Sequence, residues 1–340
     1  MPHDDLHECR VFLTRPIPEP AITYLRSRCA HFSMNREDRV LERHELHERV
    51  AGAHGVLSLL TDRIDAAFFA AAGESLRVVA NMAVGYDNID IEEATRRGVM
   101  VTNTPGILTE ATAEFAWALL LAAARRIPEA DRFTRSGQFK AWAPMLMLGQ
   151  ELSGKTLGII GAGRIGTAFA LRSRGWNMRV LYSSRRDNKI LDNELSAQRV
   201  DFSVVIEEAD FLSLHVPLTP ETHHLIDREA LQSMKSTAIL VNTARGAVID
   251  EAALVEALQR GEIAAAALDV FEEEPVIHPG LLELENVVLA PHCASATETT
   301  RTAMAMTAAR NLVQALSGET PENLVNREVA QRGRNGSRAI

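Results

Sequence analysis

Four groups of residues in this 340-residue sequence carry types and spacings suited to chemistry. Lys155 to Gly166 reads K-T-L-G-I-I-G-A-G-R-I-G, an apolar strand running into a glycine-rich turn and then the helical stretch Thr167-Ala168-Phe169-Ala170-Leu171. In such a turn Gly161 would let the chain reverse, Gly163 would let backbone N–H groups approach a pyrophosphate, and Gly166 would let helix and strand pack closely. Arg164 and Ile165 lie within the same turn, at the positive end of the helix where unpaired N–H groups await an anion. The other three groups follow later strands. Arg245-Gly246 comes after the strand ending at Asn242, Asp269 and the run Glu272-Glu273-Glu274-Pro275 after the next, and Pro291-His292 after the last. In a doubly wound α/β sheet, ligands bind beyond the carboxyl ends of the strands, so all these groups converge on one rim. Taken singly each has a plain reading: the glycines as a tight turn, Arg245-Gly246 as a turn, Glu272 to Glu274 as a solvated acidic face, His292 as a loop residue.

The elements that would position these residues alternate along the chain. Val11–Leu13, 55–60, 76–80 and 99–102 read as strands. Helical patterns lie over 20–28, 43–51, 66–72 and 91–97, the last closed by Gly98. Asn103-Thr104-Pro105-Gly106 breaks the alternation, and 109–126 is read as the longest helix, a spine between two domains. After a loop over 137–149, rich in aromatic and Met residues, six further strands follow: 157–160, 179–182, 211–216, 238–242, 265–270 and 287–290. The last long helix covers 297–316. Strands alternating with helices imply a parallel sheet with helices on both faces.

Composition bounds the function. Hydrophobic residues at 46% and charged residues at 24% are ordinary for a globular protein, and the length suits two domains. A formal net charge of −9 argues against nucleic acid or an anionic membrane as a partner, while leaving room for small anions beside local arginines. The acidic start Met1-Pro2-His3-Asp4-Asp5 carries no secretory pattern, and the apolar run 115–124 is too short to span a bilayer. Cys9, Cys29 and Cys293 lack paired or metal-type spacing, which points to a reducing cytoplasm and no disulfides. His44-Glu45-Leu46-His47 is one residue short of H-E-x-x-H and reads as a solvated helix face, and His223-His224 reads as a loop feature. No metal is expected.

Several longer stretches resemble the D-isomer-specific 2-hydroxyacid dehydrogenases, most closely their glyoxylate/hydroxypyruvate reductase branch. They are V-N-T-A-R-G-A-V-I-D-E-A-A-L (241–254), A-A-L-D-V-F-E-E-E-P (266–275), V-V-L-A-P-H-C-A-S-A-T (287–297), N-M-A-V-G-Y-D-N-I-D (81–90) and V-T-N-T-P-G-I-L-T-E-A-T-A-E (101–114), in the family's order over about residues 50 to 326. The resemblance implies a two-domain α/β fold. A Rossmann-type doubly wound NAD(P)-binding domain (106–293) would be inserted in a flavodoxin-like substrate domain (1–105 and 294–326), with 327–340 a flexible tail. It implies that His292 is the general acid protonating the carbonyl oxygen as hydride reaches its carbon. Glu274 would hydrogen-bond the other ring nitrogen and favour the imidazolium, and Arg245 would polarise the ketone and hold the carboxylate. Backbone N–H groups at Val84-Gly85 would bind the same carboxylate, and Asp269 would orient the nicotinamide amide. His215 and Pro217 match positions bordering the adenine, and Thr109 and Thr243 join the cofactor contacts. Cys293-Ala294 departs from the family, which carries an apolar residue and Gly there. A thiol–imidazole nucleophile of Cys293 and His292 is disfavoured, since neighbours on an extended segment point apart.

NAD-selective relatives place an acid at the end of the second strand of the cofactor domain. Here Ser183 stands at that position, followed by Ser184, Arg185 and Arg186, which would attract a 2′-phosphate. The expectation is therefore NADPH, with NADH possible. Leu59, Val84 and Trp142 would bound the pocket and select a short 2-oxo acid such as glyoxylate or hydroxypyruvate. In the resembling reductases the Trp142 region reaches into the partner subunit's site, which implies a homodimer. The alternatives are an NAD-dependent D-2-hydroxyacid dehydrogenase of other substrate range and a nicotinamide-sensing corepressor-like binding protein.

Overall fold

A computed structural model describes residues 6–336; the acidic start at 1–5 and the last four residues lie outside the described residues. The chain divides into two compact units, one holding the residues up to Leu108 and from Thr297 onward, the other Thr109–Ala296. Both crossings fall three residues beyond the expected ones at 105/106 and 293/294.

The first unit is a five-stranded, all-parallel sheet of β1 (Arg10–Leu13), β2 (His31–Met34), β3 (Gly55–Ser58), β4 (Val78–Asn81) and β5 (Met100–Thr102), in the order β2-β1-β3-β4-β5. This is the flavodoxin-like strand order. β3 and β4 are buried at every position, so they read as continuous apolar runs rather than alternating ones. β2, His-Phe-Ser-Met, was not expected: an edge strand half open to solvent has no apolar run to announce it. β3 ends at Ser58, two residues short of the expected end, which places Leu59 just past the strand. The helix Glu298–Leu316, capped by Thr297, packs on this sheet through Ala305, Ala308, Ala309 and Leu312. Asn326 ties the late segment to β5, accepting from the Val101 N–H at 2.9 Å and donating to the Val99 carbonyl at 2.8 Å. Residues 327–336, expected to be part of a flexible tail, form the helix Arg327–Gly336.

The second unit holds a seven-stranded, all-parallel sheet. Its strands are β6 (Thr156–Ile160), β7 (Arg179–Ser183), β8 (Gln198–Arg199), β9 (Phe211–Leu214), β10 (Ile239–Asn242), β11 (Ala265–Leu268) and β12 (Val287–Leu289), ordered β12-β11-β10-β9-β6-β7-β8. The order reverses at β6, where the glycine turn begins, and that switch point is where a doubly wound sheet opens a crevice. β8 makes a seventh strand beside the six expected; two exposed polar residues at an edge give no sequence signal. The expected spine helix stops at Ala124, and Arg126, with φ 53°, turns the chain into a second helix, Ile127–Arg135. Pro128 explains the break, since a proline is tolerated in a first helical turn and disfavours helix before it. The helix Thr109–Ala124 packs inside this unit: Trp117 stacks on Phe169 at 5.0 Å and its Nε1 donates to the Phe169 carbonyl at 2.8 Å. Buried Leu, Ile, Val and Phe cover both sheet faces, each contributing about 1.5–3 kcal/mol. Among the described residues no helix is long and apolar enough to cross a membrane.

Candidate active site

The glycine turn at the end of β6 is built by close contacts that admit no side chain. Gly161 has φ 96°, and a Cβ there would sit 2.7 Å from the His215 carbonyl group. A Cβ on Gly166 would run into the Gly161 carbonyl oxygen. Gly163 is different. Nothing lies within 4 Å of its would-be Cβ, so no protein atom demands glycine there. It caps the helix Arg164–Leu171 without a side-chain bond, leaving the first-turn N–H groups of Arg164, Ile165 and Gly166 to an outside acceptor. The open space and those donors fit a dinucleotide pyrophosphate. Thr243 supports the fit from β10, with a buried hydroxyl that has no hydrogen-bond partner among the described residues.

His215 follows β9, its N–H bonded to the Ile160 carbonyl at 2.7 Å, its Nε2 2.9 Å from Ser213 Oγ and its ring against Phe169. Burial pushes its imidazole down to about 3, so it stands neutral beside the glycine turn, with Pro217 following. At the end of β7, Ser183 and Ser184 are half-buried and Arg185 and Arg186 exposed. A residue the sequence reading missed shapes this segment. Arg199 of β8 donates to the Ser184 carbonyl at 2.9 Å and to Asp187 Oδ1 at 2.8 Å, so the acid that follows the two arginines in sequence is already paired.

Three segments of this unit bring the proposed proton-transfer residues together. Asn242 closes the turn after β10, donating to the Arg245 carbonyl at 2.9 Å and accepting from the Ala244 N–H at 2.9 Å. Glu274 accepts from the Phe271 N–H through Oε1 at 3.0 Å, and its Oε2 lies 2.8 Å from His292 Nδ1. Burial pushes the Glu274 carboxyl up, yet the bond to His292 and the nearby charges of His292 and Arg245 hold it below its ordinary value. With Nδ1 engaged, Nε2 is the ring nitrogen left for a substrate.

His292 sits at φ 52°, a conformation uncommon for a side-chain-bearing residue and one that needs support. Asp269 supplies it. The Asp269 carbonyl accepts from the His292 N–H at 2.8 Å, and its fully buried carboxylate accepts from the N–H groups of Cys293 at 2.7 Å and Ala294 at 2.8 Å. Asp269, expected to orient a nicotinamide amide, accepts one backbone N–H at each carboxylate oxygen from the segment that follows His292, and each oxygen keeps a further acceptor direction. The same geometry explains why Ala replaces Gly at 294, since that position has no positive φ and its N–H bond is intact. The backbone at His292 is also not extended, contrary to the premise on which pairing with Cys293 is disfavoured.

In the first unit, Leu59, Val84 and Gly85 lie on half-buried loops past the ends of β3 and β4. Asn81 donates to the Gly85 carbonyl at 3.1 Å, Asn103 to the Val84 carbonyl at 2.8 Å and Asn88 to the Leu59 carbonyl at 3.1 Å. Asp62 accepts from the Leu59 N–H at 2.8 Å and the Thr14 hydroxyl at 2.5 Å. With their carbonyls held from behind, the N–H groups of Val84 and Gly85 have no partner among the described residues. These supporting residues were missed in sequence, where a scattered Asn carries no signal. In the second unit Trp142 is 81% exposed, among the exposed Phe139, Met145 and Leu148, and Thr109 opens its helix half-buried.

A reversing parallel sheet with a glycine turn at the switch point, and a carboxylate–imidazole pair with an arginine beyond its strand ends, define an NAD(P)-dependent oxidoreductase acting on a CH–OH group. Residues 117–294 match the family profile described as D-isomer specific 2-hydroxyacid dehydrogenase, NAD binding domain. The chain is 53% identical over 326 residues to the glyoxylate reductase of Korarchaeum cryptofilum, covering 95% of this chain and 97% of that one. Among solved structures, the TT0316 protein of Thermus thermophilus is similar with a TM-score of 0.86 and 45% identity, covering 93% of this chain and 99% of the other. The NADPH-dependent glyoxylate/hydroxypyruvate reductase of Sinorhizobium meliloti, in complex with NADP and malonate, is similar with a TM-score of 0.82 and 32% identity, covering 95% and 98%. The chain belongs to the D-isomer specific 2-hydroxyacid dehydrogenase family.

Proposed function

We propose that this protein is an NADPH-preferring reductase of short 2-oxo acids, with glyoxylate and hydroxypyruvate as its substrates. The observation that carries the reading is the 2.8 Å contact of Glu274 Oε2 with His292 Nδ1, held in a loop that Asp269 locks from below. When bound, the reduced nicotinamide supplies the hydride. His292 carries the proton at Nε2 and delivers it to the carbonyl oxygen, while Glu274 fixes the ring and stabilises its charged form. Arg245 binds the substrate carboxylate with its fork of donors, and in the first unit the N–H groups of Val84 and Gly85 suit a carboxylate acceptor. Gly161, Gly163 and the helix start would hold the dinucleotide, with the Thr243 hydroxyl and the His215–Pro217 segment as further contacts. Leu59 and Trp142 limit the length of the acid.

The cofactor preference rests on Ser183, which offers a hydroxyl where an acid would repel a 2′-phosphate, and on Arg185 and Arg186, whose side chains are exposed beside it. The relative described as NADPH-dependent and solved with NADP supports the same reading. The exposed apolar Phe139, Trp142, Met145 and Leu148 suit a second copy of the chain, which makes the working form a homodimer. Three free cysteines suit the reducing cytoplasm.

Initial rates with NADPH and NADH over a panel of 2-oxo acids test this. We expect kcat/KM to favour NADPH by about tenfold or more, the worth of one charge-assisted hydrogen bond to a phosphate. A higher value with NADH overturns the preference, and failure to oxidise either cofactor with any 2-oxo acid overturns the activity.

A further inference from the structure

Apart from the residues assigned to the reaction, His223, His224 and Glu272 place one ligand atom each within 4.8 Å of one another. The two histidines are consecutive, and on an extended chain their rings would point apart. Here they do not. The turn after Pro220 winds so that the His223 N–H reaches the Thr219 carbonyl at 3.0 Å, and His224 then takes φ 50° as its N–H bonds the Ala247 carbonyl at 2.8 Å. The reversal stacks the two rings, with centroids 4.0 Å apart and planes at 28°. Thr222 fixes the turn through bonds to the Thr219 N–H at 2.8 Å and the Pro217 carbonyl at 2.6 Å.

Glu272 comes from the segment after β11 and is set independently. Its N–H donates to Glu251 Oε1 at 2.6 Å and its Oε2 accepts from the Glu251 N–H at 3.4 Å, leaving Oε1 directed at His224 Nε2, 2.5 Å away. His223 is exposed, while His224 and Glu272 are half-buried, so the ligand atoms are reachable from solvent and the less exposed pair is already aligned.

We propose that His223, His224 and Glu272 form a binding site for a divalent transition-metal ion of the zinc type. Two imidazole nitrogens and one carboxylate oxygen make a donor set that suits Zn²⁺ or Co²⁺ and leaves a position for water. Mg²⁺ and Ca²⁺ call for oxygen donors throughout and are disfavoured. Bonds of about 2.0–2.2 Å place tetrahedral ligand atoms about 3.3–3.6 Å apart. The ion therefore enters the His224–Glu272 contact by spreading it slightly while the exposed His223 ring swings inward. The net negative charge of Glu272 and the adjacent Glu251 favours a cation there. Once bound, the ion clamps the loop around 219–224 to the segment around 271–274. It takes no part in hydride or proton transfer.

The test uses the full chain, stripped with a chelator and titrated with Zn²⁺ by calorimetry, beside the exposed-site variant His223→Ala and the variant Glu272→Gln. We expect one ion per chain in the unmodified protein and a weakening of about tenfold or more in each variant. We also expect Zn²⁺ to raise the melting temperature of the unmodified protein and to raise that of His223→Ala less. Co²⁺ should give visible absorption bands of a low-coordinate nitrogen–oxygen site that disappear in His223→Ala. No binding by the unmodified protein, or equal affinity in His223→Ala, overturns the proposal. Because His223 is exposed, that variant decides the matter even where Glu272→Gln fails to fold.

Discussion

At the glycine turn of the second unit the backbone beyond the strand end is shaped by side chains that are missing, and in the loops of the first unit by polar ones that are present. Gly161 and Gly166 bring chain against chain where a Cβ would collide with a carbonyl group, and the helix behind them supplies N–H donors. The first unit reaches a comparable result with Asn81, Asn88, Asn103 and Asp62. These grip the carbonyls of Gly85, Leu59 and Val84 and the N–H of Leu59, while the N–H groups of Val84 and Gly85 have no partner among the described residues. Both are parallel sheets presenting backbone donors, so the contrast shows that one electrostatic task has two structural solutions with different vulnerabilities. A glycine solution fails when bulk is added. An amide solution fails when a partner is removed and a buried carbonyl is orphaned.

The largest effect should come from His292, which locates the chemistry in the second unit. His292→Ala should lower kcat by about 10²- to 10⁴-fold, with the cofactor dissociation constant, followed by fluorescence titration, nearly unchanged. Turnover within about twofold of the parent would remove the proposed acid. The comparison itself is broken by a matched pair of substitutions. Gly161→Ala should cost about 1–3 kcal/mol of stability through strain at φ 96° and the clash with His215, and should weaken cofactor binding. Asn88→Ala should cost a similar amount, about 1–3 kcal/mol, by orphaning the Leu59 and Asp62 carbonyls, but should raise KM for the 2-oxo acid and leave the cofactor constant alone. Equal effects of both variants on cofactor and acid would show that the two solutions are not separable.

The smallest effect concerns pH, and here the units should respond with opposite sign. In the first, burial pushes the Asp62 carboxyl up by more than the Leu59 N–H and the Thr14 hydroxyl bring it down. The folded state then binds more protons than the unfolded one, so Asp62 costs stability as pH rises from the ordinary carboxylate range through the raised folded value. In the second, burial also pushes Asp210 up, but the Thr156 N–H at 2.8 Å and the Lys235 ammonium at 2.9 Å outweigh it and hold the carboxyl low. Asp210 therefore contributes stability that is complete above the ordinary carboxylate range and is lost as pH falls through the depressed folded value. Denaturant unfolding at several acidic pH values should show the gap between the parent and Asp210→Asn closing on acidification. The gap between the parent and Asp62→Asn should move the other way, and parallel slopes would contradict the assignment.

The same contrast explains what could be read in the sequence. Gly161, Gly163 and Gly166 stood out because a ligand-binding backbone made from glycine leaves a fixed spacing in the chain. Glu274 and His292 were legible as a pair only through longer stretches of family resemblance, since 18 residues separate them and neither is unusual alone. Asn88, Asn103 and Arg199 were not legible, because each acts on a backbone carbonyl brought near by the fold rather than by sequence spacing, and Asn81 and Asn242, which reach carbonyls three or four residues on, carry no distinguishing pattern. Asp269 was noticed for its place past a strand end, while its hold on the N–H groups of residues 293 and 294 has no sequence signal. The edge strands β2 and β8 escaped for a related reason: half-exposed or very short strands bury too little to leave an apolar run.

Asn326 carries one further consequence, and it concerns the order in which the molecule is made. Its hydrogen bond to the Val101 N–H joins residues 225 positions apart, so β5 cannot be completed until nearly the whole sequence has been synthesised. The second unit, Thr109–Ala296, is continuous and needs no such wait. On a ribosome the sheet that begins second would be finished first, and the early strands would remain without the late helix Glu298–Leu316 that covers them. The unit that starts the polypeptide is thus the last to close, and its uncovered strands are the part of the nascent chain most in need of protection from aggregation.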